Sequence, residues 1–500
     1  MYPGAEPSII NAAFSPIFLK CLPMNSSPQS RQLLDLISRR ELLTRSAAGF
    51  AGVALGALLA QDAARADAAG ANALSLQPHF TPKAKAVIQL FQHGGPSHMD
   101  LLDPKPELNK RNGEKMPEYF TDLVKISAHG NLLGTPYKFQ KYGECGVEYS
   151  ELLPHTAKCA DDIAVIRSMY TEHNNHEQAL WMMHTGRIVT GRPTLGAWVN
   201  YALGSENQNL PAYVVLRNDS SLPTDGTRNW SNGFLPPQYQ GVHFRHTGTP
   251  VLYLQPTTAV SEGTQKLRRN LLASLNEQHK AEHPTFAPDL AARIASYEMA
   301  GRMQLSAGAA LNLAEESPAT LAMYGIGQPK TDSYGRRCLI ARRLIERGVR
   351  FVQIFVEGQI WDTHNANAAG HKSCCEQTDQ PTAALLSDLK RRGLLDSTLL
   401  MWGGEFGRTP VSQSGEGRDH HKQGFSFWLA GGGIRGGQAY GATDELGYHA
   451  VENRTMVADL HATVLHLLGL DHKRVTYHLH GRDERLTDVY DAHVIEKLLA

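Results

Sequence analysis

The stretch Thr398–Pro410, TLLMWGGEFGRTP, begins as an apolar run, Thr398 to Trp402, with no polar alternation. An uninterrupted run of that kind is the pattern of a strand covered on both faces. It stops at Gly403-Gly404, and the next residue is an acid, Glu405. In open α/β sheets, ligands bind outside the carboxyl ends of the strands, so the position of Glu405 makes it a candidate site residue.

The same reading extends outward. AKAVIQLFQHGG (84–95), DIAVIRSMY (162–170), AYVVLRN (212–218), VRFVQIFVEG (349–358) and FSFWLAGGG (425–433) are further buried strands, several running into glycine turns. Between them EQALWMMHTG, YGRRCLIARRLIERG and PTAALLSDLKRRG read as helices, each closed by a glycine. Strands separated by helices give an α/β fold: a mostly parallel central sheet with helices on both faces. A long polar stretch, 264–316, is expected to be a helical insertion or lid, and 76–500 a single domain.

Composition narrows the function. Lys+Arg and Asp+Glu balance at 49 each, which argues against a nucleic-acid partner. There is no GxSxG elbow and no HExxH, so a serine hydrolase and a zincin are unsupported, and GGGIRGG (431–437), which fits GxGxxG, reads as a glycine turn rather than a phosphate cradle. Cys145, Cys159, Cys338, Cys374 and Cys375 are odd in number and show no CxxC spacing, which does not suggest a disulfide framework.

Residues 1–68 read as an extension and an export signal. SRRELLTRSAAGFAGVALGALLA sets Arg39-Arg40 ahead of an uncharged run, Ser46 to Ala60, and Ala66-Asp67-Ala68 is a small-x-small cleavage pattern. This resembles a twin-arginine signal handed to the twin-arginine translocation machinery. Residues before Ser38, Met24 among them, reflect an early start codon in this reading, and the mature chain begins near Ala69 in the periplasm or outside the cell. At about 15 residues the run is short of the ~20 that a stable membrane span needs.

Polar residues gather at the strand ends. His93, Ser97, His98, Asp100 and Asp103 follow the first strand, and His173 to Glu177 the second. Asp362 and His364 follow the fourth; Glu405 and Arg408 follow the fifth; Asp419, His420 and His421 precede the sixth. Taken singly, each cluster is also a turn, a helix cap or solvated loop charge: Asn175 is a ready N-cap, and Asp362 can satisfy its own turn. Taken together at one sheet edge, they favour metal binding. Carboxylate and imidazole together suit zinc, iron or manganese, and two divalent ions can stabilise both oxygens in ester cleavage. Asp362 and His364 lie two apart, so in extended chain they point the same way. His420 or His421 adds a third ligand.

The order of these motifs is similar to that of the alkaline phosphatase and sulfatase superfamily. A helix (PTAALLSDLKRRGLL) is followed by DSTLLMWGGEFG, a histidine loop, GFSFWLAGGGIRGG and DLHATVLHLLGL. Within it, GGPSHMDLLDPKP, NNHEQALWMMHTGR, WDTH, GGEFGRTP and GRDHHKQGF resemble the exported bacterial family DUF1501, over nearly all of Leu76 to Asp488. The resemblance implies one or two divalent ions (zinc, manganese, iron or calcium). Asp362, His364 and His420 would hold one, with His421 as a local competitor and Asp419 beside them. Glu405 and Asp100 would hold a second, with His93 or His98. Where the superfamily has a second ligand after its metal-binding Asp, this chain has Phe406, and where the nucleophile stands it has His176. His176 is then a phosphoryl acceptor, a general base or a ligand, with Asn175 beside it and Thr171 five residues too early. Arg408 and Arg187 are candidates for holding an anionic ester, while His184 and Trp181 read as packing. The implied function is hydrolysis of a sulfate or phosphate ester, and export would put it among sulfated or phosphorylated polysaccharides as substrates. The alternative is a degenerate member that binds metal or an anionic glycan without turnover.

Overall fold

The computed structural model describes residues 77–117, 130–247, 260–284, 287–413 and 415–500. The export signal and its cleavage pattern lie outside them. Residues Asn72–Ala500 form one compact unit.

Its centre is a sheet of nine strands. In chain order these are β1 (Ala86–Phe91), β2 (Ile163–Tyr170), β3 (Tyr213–Leu216), β4 (Val242–Phe244), β5 (Phe351–Phe355) and β6 (Thr398–Gly403). A two-stranded antiparallel ribbon follows, β7 (Gly407–Ser412) with β8 (Arg418–His421), and then β9 (Phe425–Ala430), β10 (Gln438–Tyr440) and β11 (Thr455–Met456) complete the sheet. The spatial order is β10-β2-β9-β6-β1-β5-β3-β4, with β11 also paired to β2. Pairing is parallel throughout except at β9, which runs against both β6 and β2. β9 reverses because the chain enters it from the carboxyl edge, where the β7/β8 ribbon ends.

β1 and β6 are the middle of the sheet, in register from Ala86↔Thr398 to Phe91↔Gly403. Every residue of both is buried, which is why neither shows polar alternation. Ile88 and Leu90 face one core with Cys338 and Leu339 of α6 (Asp332–Ile345) and Leu385 and Leu389 of α7 (Asn367–Arg391). Val87 and Phe91 face the other, with Leu180 and Met183 of α2 (His176–Thr185), Trp198 of α3 (Leu195–Leu203) and Leu460 of α8 (Val457–Leu467). The α/β architecture expected from the sequence is therefore observed, with helices on both faces. Between β1 and β2 a single helical turn, α1 (His98–Leu101), carries Asp100.

Two details differ from the expectation. The strands β4, β10 and β11 are two or three residues long, too short to leave a period. α7 starts at Asn367, well before Pro381, which sits inside the helix and from which the sequence reading began it. The earlier turns are held by burial of His371, Cys374, Cys375 and Thr378. The polar stretch 264–316 is largely two helices, α4 (Glu262–Glu282) and α5 (Ala287–Leu311). No helix among the described residues is long and apolar enough to cross a membrane.

Candidate metal centre

Because β1, β5 and β6 run parallel and β2 runs the same way across β9, their carboxyl ends share one edge. His93, His176, Asp362 and Glu405 all follow those ends. The β1 loop is shaped by Gly94 and Gly95, whose φ values of 117° and 79° side chains rarely adopt. A Cβ on Gly94 would stand 2.6 Å from the Asp362 nitrogen, and one on Gly95 2.6 Å from the Phe406 ring. Gly94 N–H donates to both carboxylate oxygens of Glu405, at 3.0 and 3.2 Å.

His176 is the hub. Its Nδ1 lies 2.6 Å from Glu405 Oε1. Its Nε2 lies 3.4 Å from Asp362 Oδ2, within ion-pair range but without a hydrogen bond. Three groups of candidate ligand atoms result, each within 4.8 Å: His93, His176 and Glu405; His176, Asp362 and His420; His364, Asp419 and His420. His93 Nε2 is 3.8 Å from Glu405 Oε1, and its Nδ1 is fixed on Gly358 O at 3.0 Å. His420 Nε2 stands 3.0 Å from Asp362 Oδ1 and 2.9 Å from His364 Nε2, while its Nδ1 is anchored on Asn174 O at 2.8 Å. His364 Nε2 is 2.8 Å from the same Asp362 oxygen, and its Nδ1 meets Gln413. Phe406 packs between the histidines, 4.9 Å from the His176 ring and 4.5 Å from that of His420. A residue that cannot ligate thus forms an apolar wall of the centre.

The charges follow from these contacts. Burial raises the Glu405 pKa, but its bond to His176 and the nearby His93 outweigh this and hold it at about 2. Burial works against a charge on His176, yet pairing with Asp362 and Glu405 raises its pKa to about 9. Asp362 is desolvated too, and His176, His420 and Arg408 hold it far below the usual carboxylate range. Burial lowers His93 and His420, only partly offset by Glu405 and Asp362 respectively, which leaves both as neutral imidazoles. Without metal, His176 is an imidazolium between two carboxylates.

Several expected site residues are placed elsewhere. Asp100 belongs to none of the three groups: Arg418 Nε at 2.9 Å and Asn367 Nδ2 at 2.8 Å occupy its carboxylate. His98 is buried with Nε2 on Gly447 O at 2.8 Å. His421 is buried against the Tyr448 carbonyl, so strand alternation along β8 turns His420, not His421, toward Asp362. Asn175 caps α2, its side chain accepting from Glu177 N–H at 3.1 Å. Arg408 is wholly buried, donating to the carbonyls of Gly94, Gly95, Trp361 and Arg418 and to Asp362 Oδ1 at 2.7 Å. Its role is to clamp the β1 and β5 loops and orient Asp362. Arg187 pairs with Asp488 at 2.5 Å. The sequence reading passed over Arg418, Gln413 and the Asn174 carbonyl, as well as His371, whose Nε2 accepts from Ser97 N–H at 2.8 Å. Only Arg418 carried a signal, as the one cation of GRDHH. A fourth group, His279, Glu282 and His283, is exposed at the end of α4 and shares no residue with the others.

The residues fit a divalent transition-metal ion. His93 Nε2 and His176 Nε2 are buried and have no hydrogen-bond partner, an arrangement that costs free energy unless something occupies them. Neutral imidazoles with ionised carboxylates suit zinc, manganese or iron. Calcium, also expected, is disfavoured, since it takes six to eight oxygens.

Fold and edge together define an α/β protein with a histidine-carboxylate centre at the carboxyl ends of its parallel strands. Residues 84–499 match the family described as "Protein of unknown function (DUF1501)", and the chain belongs to that family. No curated protein matches it. Among solved structures it is similar to the lipoteichoic acid synthase LtaP from Listeria monocytogenes, at 10% identity over 78% of this chain and 74% of that one, TM-score 0.34. It is also similar to the PsFucS1 sulfatase from Pseudoalteromonas sp. (12% identity, 77% and 68% covered, TM-score 0.33). A third is a TAB5 alkaline phosphatase mutant with Mg bound (11% identity, 70% and 92% covered, TM-score 0.30). At these identities and TM-scores the likeness fixes neither activity nor substrate.

Proposed function

We propose that the protein is an exported, metal-dependent hydrolase of sulfate or phosphate esters. The observation that carries this reading is the trio of overlapping ligand groups joined through His176 and His420 at the carboxyl edge, the first of them buried, with no hydrogen-bond partner for Nε2 of His93 or of His176. His93, His176 and Glu405 would hold one ion; Asp362, His420 and His364, with Asp419 beside them, would hold another. A bound ion supplies Lewis-acid stabilisation of the charge that builds on the ester oxygens. The chain's own residues do the rest. Gly94 N–H and His176 fix the Glu405 carboxylate, Arg408 fixes Asp362, and Phe406 keeps one wall dry. His176, whichever nitrogen is left free of an ion, is the group in reach to accept a proton. Export to the periplasm or beyond by the twin-arginine pathway is part of the proposal and would put the enzyme among anionic polysaccharides.

One observation favours the alternative, binding without turnover. No Ser, Thr or Cys side chain is hydrogen-bonded to His93, His176, Asp362 or Glu405 among the described residues, so no hydroxyl or thiol nucleophile is poised there. Elemental analysis of the mature protein and of Glu405→Ala, purified without chelator, tests the core of both readings. One to two equivalents of zinc, manganese or iron, reduced in the variant, are expected, after which sulfate and phosphate esters are assayed with that ion. Absence of metal after reloading would overturn the hydrolase and leave at most a member that binds an anionic glycan. Metal without turnover of any ester would leave the binding reading.

A further inference from the structure

Beside the metal centre the carboxyl edge continues over β5, β3 and β4, and its charge changes sign. β3 and β4 are parallel neighbours whose last paired residues are Leu216 and Phe244; Arg217 and Arg245 follow directly. Arg245 is held through Nε by Asp219 Oδ2 at 2.7 Å, its side chain is 33% exposed, and its terminal nitrogens have no partner among the described residues. Arg217 spans the following turn, donating to Asn218 O at 2.7 Å and Ser221 O at 3.2 Å, and its buried Nε has no partner.

Among the described residues Asp219 is the one carboxylate set against these two guanidiniums, since nearby Glu357 is engaged by Arg337 at 3.6 Å. His243, 3.6 Å from Asp219, adds no charge at neutral pH; burial and the two arginines push its pKa down to about 4 despite that acid. A half-buried excess of one positive charge with free, preoriented donors is an anion receptor.

The receptor is wired to the metal centre. Ser221 Oγ accepts from Gly358 N–H at 3.2 Å, and Gly358 O is the partner of His93 Nδ1 at 3.0 Å. Farther along the same loop, Thr224 accepts from Gln359 and Asp225 from Trp181 of α2, the helix that begins with His176. β5 lies between β1 and β3, so at ~4.8 Å per strand Arg217 and Arg245 stand roughly 10–15 Å along the edge from His93.

We infer that Arg217 and Arg245 form a second anion site, which takes a sulfate or carboxylate on another unit of an oligomeric substrate whose ester is presented at the His176 centre. This inference rests on the hydrolase reading for the first site only. The spacing exceeds a single small ester, so the preferred substrate is a polyanionic chain.

The test measures binding to the metal-loaded protein by calorimetry, using three tetrasaccharide probes. One is sulfated on a terminal unit only, one carries a second sulfate on the far unit, and one carries a carboxylate there. Wild type is expected to bind one or both dianionic probes at least about tenfold tighter than the monosulfate, the effect of one charge-assisted contact, and the tighter probe identifies the anion. Arg245→Gln should erase that preference while metal content and monosulfate affinity stay unchanged, and Arg245→Lys should restore part of it. A preference that survives Arg245→Gln, no preference in wild type, or no binding of any probe would overturn the second site. Glu405→Ala separates the two readings: loss of metal with the Arg245-dependent preference intact leaves the anion site standing, whatever becomes of the hydrolase.

Discussion

Asp100 and Glu405 are both wholly buried carboxylates among the loops at one edge of the sheet, and the chain answers them differently. Asp100 meets a guanidinium, Arg418, and the amide of Asn367. Glu405 meets two imidazoles, His176 and His93, and the backbone N–H of Gly94. A guanidinium keeps its charge at any physiological pH, so the Asp100 pair is closed and ties α1, α7 and β8 together. An imidazole can give up its proton and offer a lone pair in its place, so the surroundings of Glu405 can change occupant. Buried charge alone therefore does not mark a functional centre. What sets Glu405 apart from Asp100 is that its paired cation is an imidazole, as it also is at Asp362, where His420 and His364 stand beside Arg408.

The sharpest way to break this comparison is at the closed pair. Arg418→Met leaves Asp100 ionised in a dry environment, and unfolding free energy in denaturant should fall by about 3–5 kcal/mol. Adding Asp100→Asn should recover most of the loss, because the cost lies in the orphaned charge rather than in the absent pair. A small effect from the single variant would mean that water reaches Asp100, and the distinction from Glu405 would weaken.

A smaller effect, with the opposite character, is expected at the open pair. In metal-free protein Glu405 has a pKa of about 2 against 4.5 unfolded, so its contribution is full above pH 4.5 and is lost as pH falls toward 2. His176 has a pKa of about 9 against 6.5 unfolded, so its contribution is full below pH 6.5 and is lost as pH rises toward 9. Stability of the chelated protein should then plateau between pH 4.5 and 6.5 and decline on both sides, by on the order of 2 kcal/mol on the alkaline limb. His176→Gln should flatten that limb in pH-dependent denaturation. The same proton opposes metal, so the wild-type protein should load its ion more readily as pH rises. An alkaline limb unchanged in His176→Gln would remove His176 from the pair.

Much of this was legible in the residues, for a physical reason. β1, β5 and β6 are covered on both faces, and only unbroken apolar runs such as TLLMW can fill such positions. The edge strands β10 and β11 span too few residues to show any pattern, and Pro381 concealed the first half of α7, where His371 sits. The candidate ligand types were legible too, since Glu405, Asp362 and His176 stand in or at the end of the loops that follow strand ends. Their partners were not. Arg408 acts through four backbone carbonyls, which no residue type announces, and the choice between His420 and His421 depends on the alternation of β8, a strand of four residues. Asp100 looked like a ligand because its cation lies 318 residues away in sequence.

Asn175 gives the finest test, because it adjoins His176 and was a candidate for the chemistry itself. Its carbonyl-side amide oxygen accepts from Glu177 N–H, satisfying one of the free donors of the first turn of α2. Asn175→Ala should therefore cost about 1 kcal/mol of stability, the usual loss of an N-cap. Metal content should stay at the wild-type level, because His176 is held independently by Glu405 at 2.6 Å. Asn175→Ser keeps a capping oxygen and should recover the stability. If Asn175→Ala instead loses metal while Asn175→Ser retains it, the cap itself sets the His176 ring, and the open pair extends one residue further than the contacts at Glu405 define.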